Sequence, residues 1–377
     1  MGTMGEASAS LGTTEADVRA ALASVDDPEL HQPITDLGMV RGVVVRPGEV
    51  QVGIALTVQG CPLKAKIHDD VTAAVQTLGV ERVVVEFTSM TDEDRASLRH
   101  RLQGHAPSSM ADVFASSRVI AVASGKGGVG KSSVSTNLAV AFARRGRRTA
   151  IIDADVYGFS IPRMIGIDRK AVIIDRMIVP PEAYGVAVMS IGFFADENNP
   201  VIWRGPMLHK ALTQFITDVY WGQPEVVVID MPPGTGDVSL TMAQFLPASE
   251  IVVVTTPQPA AQKVAQRAAY MARKVNLKVS GVIENMSWFT GNDGERYEIF
   301  GAGGGQLLAQ ELGVPLLGQI PLVPALREGA DRGNPVVLAH PASEAALAIE
   351  EVAQRLLEMR PHKVRLPILT VGQPPPP

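Results

Sequence analysis

The stretch Gly125-Lys126-Gly127-Gly128-Val129-Gly130-Lys131-Ser132-Ser133 sets two lysines and two serines among four glycines. Glycines turn without a Cβ in the way, so successive N–H groups face inward and such a loop wraps phosphate oxygens. A helix beginning at its far end adds a partial positive charge behind them. Lys131 is expected to reach the β- and γ-phosphates of ATP, and the Ser132 hydroxyl to ligate Mg²⁺. Lys126 is one cation more than the phosphates of a single nucleotide need; its plain alternative is a solvated loop lysine.

Carboxylates follow at matching places. In EVVVIDMPPGTGD, an apolar run ends on Asp230, the position that faces a Mg²⁺ site when a phosphate loop lies upstream. Helix capping is the alternative for such a residue. Gly234, just beyond, is able to swing its amide toward or away from a γ-phosphate, as a switch. In IIDADVYG, Asp153 and Asp155 alternate, so extended backbone points them the same way. One is expected to orient water and the other to serve the metal side; a capping role for one of them stays open. Asn285 follows another apolar run, and its amide offers a donor and an acceptor to an adenine edge. Ile320-Pro321-Leu322-Val323-Pro324 would supply an apolar wall for the base; ordinary turn chemistry is the alternative for both. Trp203 reads as packing and Arg204 as an interface residue.

These groups need strands and helices to carry them. Val119–Ala123 is a buried-strand run, and Val134–Arg145 has helical spacing. Arg148–Asp153, Val226–Asp230, Ile251–Thr255, Val279–Ile283 and Leu316–Ile320 are further short apolar runs, mostly separated by helical patterns. That alternation predicts an α/β fold with a mainly parallel, doubly wound sheet. Val172–Ser190 is a β-rich excursion and Ala342–Met359 a closing helix. Ahead of this lies a small α/β domain: a helix capped by Thr14, a hairpin of Met39–Val45 and Val50–Leu56, a helix to about Leu78, and a strand Arg82–Phe87. The expected division is a tail at 1–12, the small domain at 13–90, a linker at 91–117 with room for a helix at its start, the nucleotide domain at 118–365, and a proline-rich tail at 366–377.

With 46% hydrophobic residues, the chain has material for a sizeable core in about two domains. A net charge of −5 argues against a surface that coats nucleic acid. The first ten residues lack a signal-peptide pattern, and no apolar run approaches the about 18 residues of a membrane span. One cysteine excludes an intramolecular disulfide and suits the cytoplasm. No membrane or nucleic-acid partner is expected.

GKGGVGKS resembles the deviant Walker A loop of the MinD/ParA-type ATPases. The resemblance implies a homodimer in which Lys126 reaches the partner's nucleotide. DADVYG, MPPGTGD, WRGPM, ENMSWF and IFGAGGG extend the likeness to the Mrp/ApbC group of iron–sulfur carrier ATPases, from residue 118 to about 360. Residues 56–62, Leu-Thr-Val-Gln-Gly-Cys-Pro, are similar to the signature of the metal–sulfur cluster biosynthesis domain. The group implies Asp155 for the water, Asp153 for the metal side and Asn285 for the base. It further implies an ATP hydrolase that passes iron–sulfur clusters to apoproteins alongside assembly factors. One departure matters. Many members carry a Cys-x-x-Cys pair after the ENMS motif, whereas residues 288–297 here hold no cysteine and Asn292-Asp293-Gly294 reads as a turn. Thiolate ligation of iron is impossible there. Cys61, beside a helix start that favours the thiolate, is the remaining candidate. Two copies with an external thiol would supply the usual ligands of a cluster; an inert buried cysteine is the alternative. The rival readings are a cluster-free ATPase switch and a MinD/ParA-like spatial organiser, the latter lacking its basic amphipathic C-terminal helix.

Overall fold

The computed structural model describes residues 13–57, 63–103, 113–155, 158–194, 205–234 and 242–361. Its contacts divide the chain into two units.

The first unit begins where the Thr14 side chain accepts from the Asp17 amide and Asp17 reaches back to the Thr14 amide, a capping box that starts helix Glu15–Leu22. Strand β1 (Val40–Arg46) pairs antiparallel with β2 (Glu49–Leu56). Their two-residue turn, Pro47-Gly48, uses a glycine at φ +75°, the left-handed region such hairpins favour. Strand β3 (Arg82–Ser89) returns parallel to β2 after helix Lys64–Gln76. Val18, Leu22, Ile54, Ile67 and Val71 are sealed between sheet and helices.

Part of the expected linker is structure of this unit. Residues Asp92–Gln103 form a helix whose Leu98 is fully buried and whose Leu102 packs on the same core. Thr91 and Asp94 cap it reciprocally, and Asp92, Glu93 and Asp94 sit in its first turn, where the helix dipole favours them. Its polar composition hides the apolar stripe, because only two leucines carry it. Residues 171–180 and 218–222 also group with this unit. The hairpin they contain, in chain order β6 (Val172–Ile174) and β7 (Met177–Val179), adds Ile174, Met177 and Val179 to the core.

The second unit is built on an eight-stranded sheet. Its strands are β4 (Arg118–Ser124), β5 (Thr149–Asp153), β8 (Glu182–Ala183), β9 (Val186–Ser190), β10 (Val226–Asp230), β11 (Glu250–Thr255), β12 (Lys278–Asn285) and β15 (Leu316–Ile320). They run in the order β15-β12-β11-β4-β10-β5-β9-β8, and every pair except β8–β9 is parallel. Every residue of β4, β5, β9, β10 and β11 is buried, as a sheet covered on both faces requires. A small hairpin, β13 (Phe289–Thr290) with β14 (Arg296–Tyr297), leaves the sheet after β12. The doubly wound α/β expectation holds. Parallel register sets Asp230 opposite Asp153 on one side and Val122 on the other, so β4, β5 and β10 deliver their ends to one edge.

Candidate nucleotide site

The phosphate loop leaves β4 at Ser124 and enters helix Lys131–Arg144 at Gly130. Two of its glycines are demanded by neighbours. A Cβ on Gly125 would lie 2.2 Å from the backbone of Val264 and Ala265, in helix Pro259–Lys274. Gly130 has φ +79°, and a Cβ there would meet the Asn285 amide nitrogen at 2.2 Å. Gly127 and Gly128 face open space, which leaves room for an anion. Val129 is buried beneath the loop. The Ser133 carbonyl accepts from the Asn137 amide one turn on.

Lys131 is 6% exposed, so its charge requires partners. Nζ lies 2.7 Å from Asp230 Oδ2 and 3.8 Å from Asp155 Oδ2. Ser132 Oγ donates to the same Asp230 oxygen at 2.6 Å. Asp230 itself is fully buried, and its other oxygen, Oδ1, accepts from Ser135 Oγ at 2.7 Å.

Asp153 and Asp155 emerge beside this group but differ. Asp153 Oδ1 accepts from the Asp155 amide, and Oδ2 accepts from the Ser160 and Ile161 amides and from Ser190 Oγ. Burial, and then the nearby Asp230, push its carboxyl up to about 7. Both oxygens are therefore engaged by the amides of Asp155, Ser160 and Ile161 and by the Ser190 hydroxyl, while Asp155 is the one of the pair that faces Lys131.

Asn285 donates to the Val129 carbonyl at 2.9 Å, tying the end of β12 to the phosphate loop. Its Oδ1 is buried and has no partner among the described residues. Residues 285–288 pair with 320–322, through Asn285 opposite Ile320, the Ser287 amide on Ile320 and the Leu322 amide on Trp288; buried Pro321 is thus adjacent. Lys126 Nζ donates to Gln258 Oε1 of its own chain at 3.3 Å. Gly234, at φ +102°, donates its amide to the Ser124 carbonyl. The turn at Asn292–Gly294 is present, and Arg296 stacks over Trp288 at 4.2 Å. Cys61, Trp203 and Arg204 lie outside the described residues.

Ser135 and Gln258 are the residues that sequence reasoning missed. Ser135 is four residues beyond Lys131, hence on the same helix face, and that spacing was an available signal. Gln258 carried none, because its partner is distant in the chain.

Among the described residues, no group of three or more His, Cys, Asp and Glu side chains is placed to hold a metal ion. Asp230 and Ser132 do bring a carboxylate and a hydroxyl together beside the loop. Such a sparse set of hard oxygens fits Mg²⁺, which keeps waters and takes phosphate oxygens from a nucleotide. Also among the described residues, no helix is long and apolar enough to cross a membrane.

Strand, glycine loop and helix, with a buried lysine and a strand-end aspartate behind them, define a P-loop NTPase. The sequence matches the model of the NUBPL iron-transfer P-loop NTPase family over residues 115–357, and the chain belongs to that family. Residues 15–87 match a second model, described as an iron-sulfur cluster assembly protein. The iron-sulfur cluster carrier protein of Mycobacterium leprae is 50% identical over 332 residues, covering 85% of this chain and 87% of that protein. The Bacillus subtilis protein of the same name is 42% identical, covering 82% and 88%. Among solved structures, a nucleotide-binding protein from Archaeoglobus fulgidus, in complex with ADP, superposes with a TM-score of 0.54 at 31% identity, over 72% of this chain and 99% of that one. The cell division ATPase MinD of Pyrococcus furiosus shares the fold, with a TM-score of 0.50 at 24% identity over 64% and 98%.

Proposed function

We propose that this protein is a dimeric, Mg²⁺-dependent ATPase that carries iron–sulfur clusters to apoproteins. The observation that carries the nucleotide half is the convergence of Lys131, Ser132, Asp230 and Asp155 at one sheet edge beside an open glycine loop. The carrier half is supported by relatives named for that role at 42–50% identity.

In this reading Lys131 exchanges Asp230 for phosphate oxygens, a charge-assisted contact of similar strength. Ser132 and Asp230 would hold Mg²⁺, which supplies charge neutralisation at the phosphates. Asp155 orients the attacking water, and Asn285 with Pro321 flanks the adenine. The loop is of the deviant Walker A type, and Lys126 leaves Gln258 to serve the partner's nucleotide. Hydrolysis then resets the dimer instead of making a product. The cluster, as cargo, would be held by Cys61 of each protomer together with external thiols, in a cytoplasmic setting.

The test is anaerobic reconstitution with iron, sulfide and glutathione, followed by desalting, iron analysis and transfer to an apo-ferredoxin. The parent should retain a labile cluster, at no more than about one per dimer, because each chain supplies one of the four usual thiolate ligands. Cys61→Ser should keep ATP hydrolysis and lose retention. Equal retention in both proteins would defeat the thiolate assignment. No retention in either, with hydrolysis intact, would establish the cluster-free switch instead.

A further inference from the structure

Among the described residues Asp230 has three side-chain partners, and they are unequal. Lys131 and Ser132 both hold Oδ2, on the side of the glycine loop. Both are groups that a nucleotide and its Mg²⁺ would claim. Among the described residues Ser135 alone holds Oδ1, at 2.7 Å, and it is fully buried within the helix. The Ser135 oxygen is also 3.0 Å from the Lys131 carbonyl. A hydroxyl has one proton to give, and the shorter, charge-assisted partner is the stronger claimant.

We propose that Ser135 is a positioning residue for Asp230, fixing Oδ1 against the helix so that Oδ2 is presented to Mg²⁺. The rotation of a carboxylate about its last bond is soft and two-fold. Without an anchor, Asp230 turns once Lys131 and Ser132 let go. Its register neighbour Asp153 is a second carboxyl, and repulsion between the two adds to the tendency. Ser135 removes that freedom before any ligand arrives, which is how an outer partner raises the affinity of a metal site. The hydroxyl therefore acts on the metal's share of nucleotide binding, with no contact to the nucleotide.

This inference rests on the reading of Asp230 as a Mg²⁺-side residue. It is tested with the full chain and a fluorescent N-methylanthraniloyl-ADP, by anisotropy, in EDTA and across a Mg²⁺ series. In Ser135→Ala, the Mg²⁺ concentration giving half of the affinity gain should rise about tenfold, while affinity in EDTA changes by less than about twofold. Ser135→Cys keeps the shape with a weak donor and should show the same upward shift, so a folding failure of the alanine variant leaves the question decidable. An unchanged Mg²⁺ midpoint in a folded variant overturns the proposal. An equal loss with and without Mg²⁺ also overturns it, since Ser135 would then only support the loop. If the parent shows no Mg²⁺ enhancement, the reading of Asp230 falls, and Ser135's role falls with it.

Discussion

The large sheet buries an ion pair at each of its two edges, and the two pairs are built differently. At the amino-terminal edge, Arg118 meets Glu250 at 2.9 Å, with side chains 7% and 1% exposed. Ser280 Oγ donates to the same carboxylate oxygen, and Arg118 donates to the Leu356 and Met359 carbonyls at the end of helix Glu344–Glu358. These partners belong to strands or to a helix terminus. At the carboxyl-terminal edge, Lys131 meets Asp230, equally buried, but beside a glycine loop that opens onto space at Gly127 and Gly128. Burial of charge is costly in both places. The first pair offsets the cost with fixed backbone acceptors and ties the sheet to a helix. The second sets its lysine beside open loop space, where on the proposed reading phosphate would replace the counter-ion. A buried ion pair thus points to function when one partner is free to change hands, and the surrounding backbone shows which case holds.

The largest effect is expected where nothing is meant to move. Arg118→Ala strips Glu250 of its counter-charge, and loss of one member of a buried pair costs about 3–5 kcal/mol. Guanidinium unfolding should show that loss, while the folded variant binds ATP as the parent does. A change in nucleotide affinity at constant stability would erase the distinction between the edges.

The next effect is on binding. Lys131→Ala should weaken ATP by at least about tenfold, near 1.4 kcal/mol, on titration calorimetry. Its effect on stability should be smaller than that of Arg118→Ala, because Asp230 keeps two hydroxyl donors, Ser132 and Ser135, where Glu250 would keep Ser280. Unchanged ATP affinity would mean that the loop does not hold phosphate.

A surface pair sets the lower limit of the series. In the first unit, Asp94 pairs with Arg41 and is capped by Thr91; the Arg41 hydrogen bond, then the Thr91 bonds, hold its carboxyl down at about 2. A carboxyl depressed in the folded state stabilises above its unfolded value near 3.8, and the benefit is lost as pH falls toward 2. Asp94→Asn should therefore lower the melting temperature slightly at pH 6, and by less at pH 3. Exposure keeps the effect below that of either buried pair. A difference that grows on acidification would reverse the sign of this assignment.

The sequence by itself determined most of the elements and the candidates for the chemistry. Continuous apolar runs ending in Asp153 and Asp230 specify parallel strands, because only a sheet covered on both faces buries such runs. The glycine spacing around Lys131 specifies the loop, and Thr14 with Asp17 specifies a helix start. These are local signals, legible within a few residues. The tertiary structure decided everything that depended on partners far along the chain. It spent Asn285 on the Val129 carbonyl, 156 residues away, and set Lys126 against Gln258, 132 away. It also gave Asp153 to the Ser160 and Ile161 amides and the Ser190 hydroxyl, and Asp155 to Lys131, though alternation had made the two equivalent. A helical start to the 91–117 stretch was open to the sequence, but the packing of Asp92–Gln103 on the core was not, because its buried face is two leucines wide. Periodicity fixes the face on which a side chain lies. Which group meets it there is set by strand order and crossover, and those are settled by the packing of the whole sheet.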